Sequence, residues 1–246
     1  MSEDLRASII IPAYNEGENI VAGLDRIFEA VKLSTEVLVI VDSESDTTVP
    51  VVTEYAKREP RLSYLVNDYG RGPAQAIRYG IDHANAETVV VTMSDGCDDP
   101  RQIDDLIRLV ERGVVVAAAS RYMPGGQQVG GPRFKSFLSR SAGTSLQLFT
   151  AAGTRDATNS FKAYRRSFVQ DVGIDSRDGF EIGLELTAKA RRLRLPVAEI
   201  PTIWLDRQFG ESNFKMSQWI PKYFRWYRFA FGPRLTVEQL RSMSSQ

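Results

Sequence analysis

Acidic, basic and aromatic side chains follow five short apolar segments of this 246-residue sequence. Carboxylates follow two of these segments, at Asp42 and Asp95, and arginines follow two others, at Arg71 and Arg121. Carboxylate oxygens are ligands that Mg²⁺ and Mn²⁺ prefer. If the apolar segments are parallel strands, these groups converge beyond the strand ends, where open parallel sheets bind ligands. The pattern therefore favours a site for a nucleotide and a metal ion.

Polar residues after strands have a second explanation, because Asp, Asn, Ser and Thr also cap the N-termini of helices. Asp46 and Asp99 in particular fit this alternative. Other catalytic motifs are disfavoured. Residues 70–75 begin like a dinucleotide-binding fingerprint but lack its third glycine. The single cysteine, Cys97, and the single histidine, His83, disfavour a zinc site and a Ser-His-Asp triad.

Hydrophobic periodicity places these residues on an alternation of strands and helices. It predicts strands at 8–12, 36–42, 62–66, 87–93 and 114–120, and helices at 19–32, 49–57, 73–84 and 101–112. The remainder predicts a loop at 123–132, a helix at 136–149, an irregular or extended segment at 156–164, a helix at 180–194 and a strand at 197–205. This order implies an α/β fold with a mostly parallel central sheet flanked by helices. We expect one domain over 1–246, with a ligand-binding half to about residue 123 and a second half after it that completes the site.

The composition is that of a globular chain with balanced charge. Hydrophobic residues make up 43% and charged residues 25%, which excludes a disordered chain. With 31 basic and 31 acidic residues, the chain is a poor candidate for binding nucleic acid. The acidic start does not fit a signal peptide, and the apolar segments are shorter than the roughly 20 residues that cross a bilayer. We therefore predict a cytoplasmic protein that at most lies on the cytoplasmic face of a membrane.

Several motifs resemble those of family 2 inverting glycosyltransferases, which have the GT-A fold. The opening segment 8–20, SIIIPAYNEGENI, followed by the Asp42 and Asp95 segments, is similar to the start of these enzymes. Later motifs look like those of dolichol-phosphate mannose synthases and bacterial polyprenyl-phosphate glycosyltransferases; they lie at 120–122, 138–142, 156–165, 199–201 and 206–212. The resemblance implies transfer of a sugar from a GDP- or UDP-linked donor to a polyprenyl phosphate.

The resemblance also implies roles for residues at the strand ends. Asp95 matches the second acid of the family's Asp-x-Asp motif, so it would act in catalysis by holding Mg²⁺ or Mn²⁺, with Asp98 as a further ligand. The sequence departs from the family at Met93, where the first acid usually stands, and at Cys97. The nucleotide-sugar site would comprise Pro12, Ala13, Tyr14, Asn15, Glu16, Asp42, Ser43, Arg71, Ser94 and Asp95.

A lipid phosphate is an anion at neutral pH, so it needs cations to hold it in line rather than a strong general base. Glu181 and Glu185 lie four residues apart and would share one helix face. Either would contact the donor sugar or act as the base for a sugar-hydroxyl acceptor; the alternative is an exposed face of a charged helix. By resemblance, the acceptor phosphate would bind to Arg121, Arg133, Lys135, Ser139 and Arg207.

The aromatic segment 219–231 has two explanations. On a helix, Trp219, Tyr223, Trp226 and Tyr227 would form a stripe that lies on a membrane surface or packs on the sheet. The same segment could serve a homodimer or a membrane-protein partner. Three other functions stay open at this point: transfer to a soluble sugar or small molecule, non-catalytic binding of a sugar nucleotide, and nucleotidyl transfer.

Overall fold

The apolar segments form a seven-stranded sheet in the order β3-β2-β1-β4-β7-β5-β8, and a two-stranded sheet pairs β6 with β9. The computed structural model describes residues 4–177, 179–206 and 216–244. The strands are β1 (Ala7–Pro12), β2 (Thr35–Val41), β3 (Leu62–Val66), β4 (Thr88–Val91), β5 (Val116–Ser120), β6 (Gln127–Val129), β7 (Lys162–Arg165), β8 (Val197–Pro201) and β9 (Ile203–Leu205). The helices are α1 (Asn19–Ala30), α2 (Thr48–Ala56), α3 (Pro73–His83), α4 (Ile103–Glu111), α5 (Arg133–Thr150), α6 (Arg166–Val172), α7 (Ile182–Leu193), α8 (Met216–Ala230) and α9 (Val237–Ser244).

The mostly parallel α/β fold predicted from the sequence is confirmed. β1, β2, β3 and β4 run parallel to their neighbours in that group, and β5 runs parallel to β8. Alternate residues of the apolar strands face opposite sides of the sheet: Ile9 and Ile11 pack with α1 and α4, whereas Ile10 packs with α3 and α7. Burial on both faces explains why these strands are continuous apolar runs.

Two sequence predictions are wrong in detail, and a third feature was not predicted in either direction. That feature is an antiparallel strand within the mostly parallel sheet: β7 lies between β4 and β5 and runs opposite to both. The predicted loop at 123–132 contains β6, which pairs with β9 more than 70 residues away in the register Gln127↔Ile203. The predicted strand at 197–205 is two strands in different sheets, separated at Thr202, whose N–H donates to Ser120 O. All three features depend on partners distant in the sequence.

The strand order decides which loops meet at the carboxyl-terminal edge. β1 lies between β2 and β4, so the acidic segments after β2 and β4 flank the β1 loop and are not direct neighbours. β7 separates β4 from β5, and therefore the Asp95 segment from Arg121.

Helix α8 packs mainly on helices α5 and α7. Trp226 is buried in a cluster with Leu146 of α5 and Leu184 of α7, and its Nε1 donates to Ser176 Oγ at 3.1 Å. Part of the predicted aromatic stripe therefore faces the protein. The side chain of Trp219 lies outside the described residues.

Candidate functional site

The loop after β1 forms one wall of the predicted donor site. Asn15 has a left-handed backbone conformation, with φ of 53°, and its N–H donates to Asp46 Oδ2 at 2.9 Å. The N–H of Glu16 donates to Thr48 Oγ1 at 3.1 Å, and Glu16 Oε1 accepts from the Ser94 hydroxyl at 3.2 Å. These bonds join the loops that follow β1, β2 and β4 into one continuous surface.

Tyr14 is the most open of the wall residues named here. Tyr14 is 66% exposed, Ala13 is buried, and Pro12 and Ser43 are half-buried. Asp46, by contrast, also accepts from Thr48 N–H at 2.8 Å, which caps the start of α2. The capping interpretation is thus correct for Asp46, and likewise for Asp99, whose carboxylate accepts from the N–H of Arg101.

Asp42 holds the loop that carries Arg71. One oxygen of Asp42 accepts from Asn67 Nδ2 and the other from Gly72 N–H, each at 2.9 Å. Gly72 has φ of 107°, a conformation that favours glycine and lets its N–H face Asp42. Arg71 is exposed, and its guanidinium makes no hydrogen bond or ion pair within the described part of the chain.

The loop after β4 is fixed on both sides. Arg26 of α1 donates to Gly96 O at 2.6 Å and to Asp98 O at 3.2 Å. On the other side, the N–H of Leu205 in β9 donates to Cys97 O at 3.2 Å. This loop carries Asp95 and Asp98, so both carboxylates are attached to a backbone that is held in place before any ligand binds.

Asp98 is the buried acid of this loop. Its Oδ2 accepts from the Thr92 hydroxyl at 2.9 Å and from Met93 N–H at 3.2 Å. Burial and the negative charge of Asp95 together raise the pKa of Asp98 to about 6. Two carboxylates that repel each other in this way gain from a cation between them.

Asp95 and Asp98 could hold a divalent metal only with help from the substrate. Among the described residues, no three Asp, Glu, His or Cys side chains come together to hold a metal ion. Two carboxylates nevertheless fit Mg²⁺ or Mn²⁺, which commonly takes its remaining ligands from phosphate oxygens and water. Position 93, a methionine, supplies no oxygen ligand from its side chain.

Arg121, at the end of β5, is clamped by a residue that sequence reasoning did not assign. Asp156 accepts from Arg121 Nε at 2.7 Å and from Nη2 at 2.8 Å, and it also accepts from the backbone N–H at 2.9 Å. The Arg121 side chain is 12% exposed and that of Asp156 is fully buried. Burial disfavours both charges, but their mutual attraction outweighs it, so the pKa of Arg121 is raised and that of Asp156 is lowered.

Of the other predicted acceptor residues, Ser139 is the one that contacts Arg121 within the described part of the chain. Ser139 of α5 accepts from Arg121 Nη2 at 3.4 Å and shares a hydrogen bond of 2.5 Å with Thr158. Arg133 and Lys135 lie in the first turn of α5, but their side chains lie outside the described part, and so does Arg207 altogether. Arg121 also lies 4.9 Å from the Tyr122 ring centroid and 6.0 Å from that of Trp204.

The two predicted glutamates, one just before α7 and one within it, exclude the alternative of an exposed helix face. Neither is on an exposed helix face: Glu181 is 2% exposed and Glu185 fully buried. Glu185 accepts from the N–H groups of Asp175 and Ser176 at 2.7 and 2.9 Å and pairs with Lys189 at 2.6 Å. This geometry gives Glu185 a structural part, because its carboxylate is saturated by protein groups.

Glu181 lies near Tyr223 instead. It stands at the N-terminus of α7, and its negative charge adds to the burial of the Tyr223 hydroxyl in raising the pKa of that hydroxyl. The positive charge of Arg121 lowers the pKa of the same hydroxyl. Glu181 and Arg121 therefore both lie within electrostatic range of Tyr223.

The site contains three groups that sequence reasoning missed. Asp156 and Lys162 lie in the motif at 156–165, but no local pattern pairs the first with Arg121 or buries the second. Trp204 lies on β9, which was expected to continue β8. The motif at 156–165 contains Asp156 and Lys162, so their residue types were visible in the sequence. Their contacts could not be predicted, because these depend on the order of the strands in the sheet.

The mostly parallel α/β sheet, with a carboxylate-bearing loop after one strand and a buried arginine two strands away, has the GT-A fold. Residues 8–173 match the sequence profile of Glycosyl transferase family 2. The chain belongs to this family and is a glycosyltransferase.

Similar proteins agree with this assignment. The chain is 28% identical over 230 residues to the polyprenol monophosphomannose synthase of Mycolicibacterium smegmatis, covering 87% of this chain and 86% of that protein. It is also 28% identical over 215 residues to the undecaprenyl-phosphate mannosyltransferase of Micrococcus luteus, covering 85% and 87%. The fold matches that of a mannosyltransferase from Pyrobaculum calidifontis, solved with GDP-Man and Mn²⁺, with a TM-score of 0.61 and 18% identity over 99% of this chain and 72% of the other.

Within the described ranges, none of the helices combines the length and the apolar character that crossing a bilayer requires.

Proposed function

We propose that this protein is a metal-dependent inverting glycosyltransferase that moves a sugar from a nucleotide-diphosphate sugar to a polyprenyl phosphate. The observation that carries the proposal is the nearness of two oppositely charged groups, Asp98 and Arg121, each of which shifts the pKa of the other. A cation at Asp98 would attract the donor's diphosphate, and Arg121 would attract a second anion beside it. Two anion sites side by side suit a donor diphosphate and an acceptor phosphate.

The donor would lie across the loops after β1, β2, β3 and β4. Asp95 and Asp98 would hold the metal ion, which neutralises charge on the departing nucleoside diphosphate. Arg71, exposed on its loop, would meet the donor's phosphates. The base and ribose would contact the surface formed by Pro12, Ala13, Tyr14, Asn15, Glu16, Asp42, Ser43 and Ser94. A GDP-linked mannose is the first donor to test, because the Pyrobaculum enzyme was solved with it and with Mn²⁺.

The acceptor phosphate would bind to Arg121 and Ser139. Asp156 engages Nε and Nη2 of Arg121, so Nη1 is the edge of the guanidinium left to an incoming phosphate. Arg133, Lys135 and Arg207 would add positive charge to this site. Two relatives are named for polyprenyl-phosphate acceptors: one is a polyprenol monophosphomannose synthase and the other an undecaprenyl-phosphate mannosyltransferase. These names support such an acceptor.

An apolar stripe on α5 supports a membrane-embedded acceptor. We define it as Phe134, Phe137, Leu138, Leu148 and Phe149, all exposed, with Leu148 and Phe149 more than 70% exposed. At 100° per residue, these five positions lie within about 120° around the axis of α5. Ser139 lies about 140° from the middle of that arc, and therefore on another side of the helix. A helix that binds phosphate on one side and exposes apolar side chains on another would lie on the cytoplasmic face of a membrane. A homodimer or a membrane-protein partner would compete for the same stripe.

The function is tested by the acceptor that supports turnover. Release of nucleoside diphosphate from GDP-mannose and UDP-sugars is measured with and without Mn²⁺, in the presence of a short polyprenyl phosphate or a soluble sugar. We expect glycolipid formation only with metal and lipid phosphate, with inversion at the anomeric carbon seen by NMR. Turnover with the soluble sugar alone would favour the soluble-acceptor alternative. Donor binding without any turnover would favour a non-catalytic binding protein.

Matched variants separate the two halves of the site. We expect D95A to lower kcat by about 100-fold or more, because it removes a ligand of the metal that stabilises the leaving group. R121A should raise KM for the lipid phosphate by about tenfold or more, since it removes hydrogen bonds to a charged group. R108A is the control, because Arg108 lies on α4 in a surface pair with Asp105. Equal effects of R108A and R121A would contradict the assignment.

A further inference from the structure

A buried lysine underlies the acceptor side of the site and has no part in the chemistry described so far. Lys162 is the first residue of β7 and is fully buried. Its Nζ donates to Asp156 O at 3.3 Å, to Ala157 O at 3.2 Å, and to Asn159 O. The ammonium group thus lies at the centre of the loop 156–159 and is held by its backbone carbonyls.

The loop 156–159 supplies hydrogen-bond partners for Arg121 and Ser139, the two described residues that we propose bind the acceptor phosphate. The side chain of Asp156 clamps Arg121, and that of Thr158 bonds to Ser139. Asn159 anchors the loop to β5 by donating from Nδ2 to Ala119 O at 2.8 Å. Because one cation fixes the backbone of all these residues, its loss would displace Arg121 and Ser139 together.

The surroundings of Lys162 are closely packed on the side of α7. A Cβ atom on Gly183 would lie 3.2 Å from Lys162 Nζ and 2.9 Å from Asn159 O. The ammonium group is therefore enclosed by the loop on one side and by α7 on the other. The three hydrogen bonds from Nζ to backbone carbonyls are direct and need no bridging water.

The charge of Lys162 depends on its neighbours. The pKa of Lys162 is lowered to about 7, chiefly by burial and in part by Arg121, while Asp156 and Asp98 act in the opposite direction. A dianionic phosphate bound at Arg121 would favour the ammonium form in the same way as Asp156 does. By linkage, protonation of Lys162 then favours binding of the phosphate.

We propose that Lys162 is a positioning residue for the acceptor phosphate, acting through the loop 156–159 on Arg121 and Ser139. This inference rests on the proposed function, because it takes that phosphate as the acceptor. Lys162 does not touch the reacting atoms. It fixes the groups that do.

The test compares KM for a short polyprenyl phosphate with KM for the sugar nucleotide. K162M should raise KM for the acceptor by about tenfold or more and leave KM for the donor within about twofold, because three bonds from a charged group are lost on one side of the site only. K189M is the matched control, since Lys189 is an equally buried lysine that pairs with Glu185 and Asp175. Circular dichroism and melting temperature verify folding of both variants.

The pH dependence of KM for the acceptor tests the charge of Lys162, because a purely structural role would not make this KM depend on pH. In the wild type, KM for the acceptor should rise as the pH increases through about 7, because the neutral amine attracts the phosphate less. K162M, which carries no amine, should remove that rise. A flat wild-type profile overturns the role of Lys162 even if the variant fails to fold.

The outcomes are distinct. Equal changes in both KM values, an unchanged acceptor KM in K162M, or a flat wild-type profile would overturn the role of Lys162. Absence of turnover by the wild type with every polyprenyl phosphate would instead overturn the proposed function, and this inference with it.

Discussion

At the scale of single residues, the acceptor side of the site depends on one buried ion pair. Arg121 and Asp156 form a bidentate pair in which the carboxylate is fully buried. A pair of this kind contributes little net free energy when both partners are present, but removal of one partner leaves the other charge buried without compensation. The pair therefore fixes geometry more than it adds stability.

D156N should accordingly be strongly destabilising. We expect it to reduce the free energy of unfolding by about 3 kcal/mol, measured by urea denaturation. D105N is the control, because Asp105 pairs with Arg108 at the surface, where such a pair is worth less than about 1 kcal/mol. A loss in D156N no greater than in D105N would contradict the argument.

The same pair predicts a pH dependence of stability. Because the pKa of Asp156 is lowered in the folded protein, its stabilising contribution is present above the pKa of an unfolded aspartate, about 3.9. It is lost as the pH falls through the folded value. The wild type should thus lose stability faster than D156N below about pH 4, as followed by melting temperature against pH. Parallel curves for the two proteins would argue against the pairing.

At the scale of elements, α5 reaches the loop 156–159 only because it carries a glycine at its closest approach. A Cβ atom on Gly143 would lie 1.9 Å from Arg155 O and 2.7 Å from Arg155 C, both backbone atoms that cannot rotate away. Any side chain there must push α5 outward. Ser139, one turn earlier on the same helix, would move with it.

G143A should therefore affect both stability and acceptor binding. Overpacking of this kind costs about 1–3 kcal/mol, and we expect a melting temperature several degrees lower and a raised KM for the lipid phosphate. S141A is the control on the same helix, since Ser141 is exposed. The argument fails if G143A matches S141A in both measurements.

The sequence indicated the apolar strands and their order along the chain, because burial on both faces produces continuous apolar runs. The opening motif at Pro12–Glu16 likewise followed from local residue types. The pairing of Arg121 with Asp156, the burial of Lys162 and the saturation of Glu185 could not be predicted, since each depends on which strands and helices become neighbours. The antiparallel course of β7 was hidden for the same reason: four residues carry no signal of direction.

At the scale of the whole molecule, the apolar stripe of α5 predicts where the protein meets lipid. F137E and F149E should each weaken cosedimentation with vesicles of phosphatidylcholine and phosphatidylglycerol by about tenfold, because a buried phenylalanine contributes roughly 1.5–3 kcal/mol. Activity on a short, water-soluble acceptor should be unchanged. L5E is the control, since Leu5 is an exposed apolar residue that precedes β1, at the opposite edge of the sheet. Equal binding by F149E and L5E would exclude the stripe as the contact.

The position of β7 has a consequence for how the chain is made. Among the described strands, β5 has two neighbours in the sheet, β7 and β8, with which it pairs through Val116↔Tyr164 and Val116↔Val197. During synthesis, β1 to β4 can assemble as soon as they emerge, but β5 has no partner until the ribosome has passed residue 165. For that interval an apolar strand of valine and alanine is left with unpaired backbone groups. A fragment that ends near residue 123 would keep this strand permanently unpaired and exposed to aggregation.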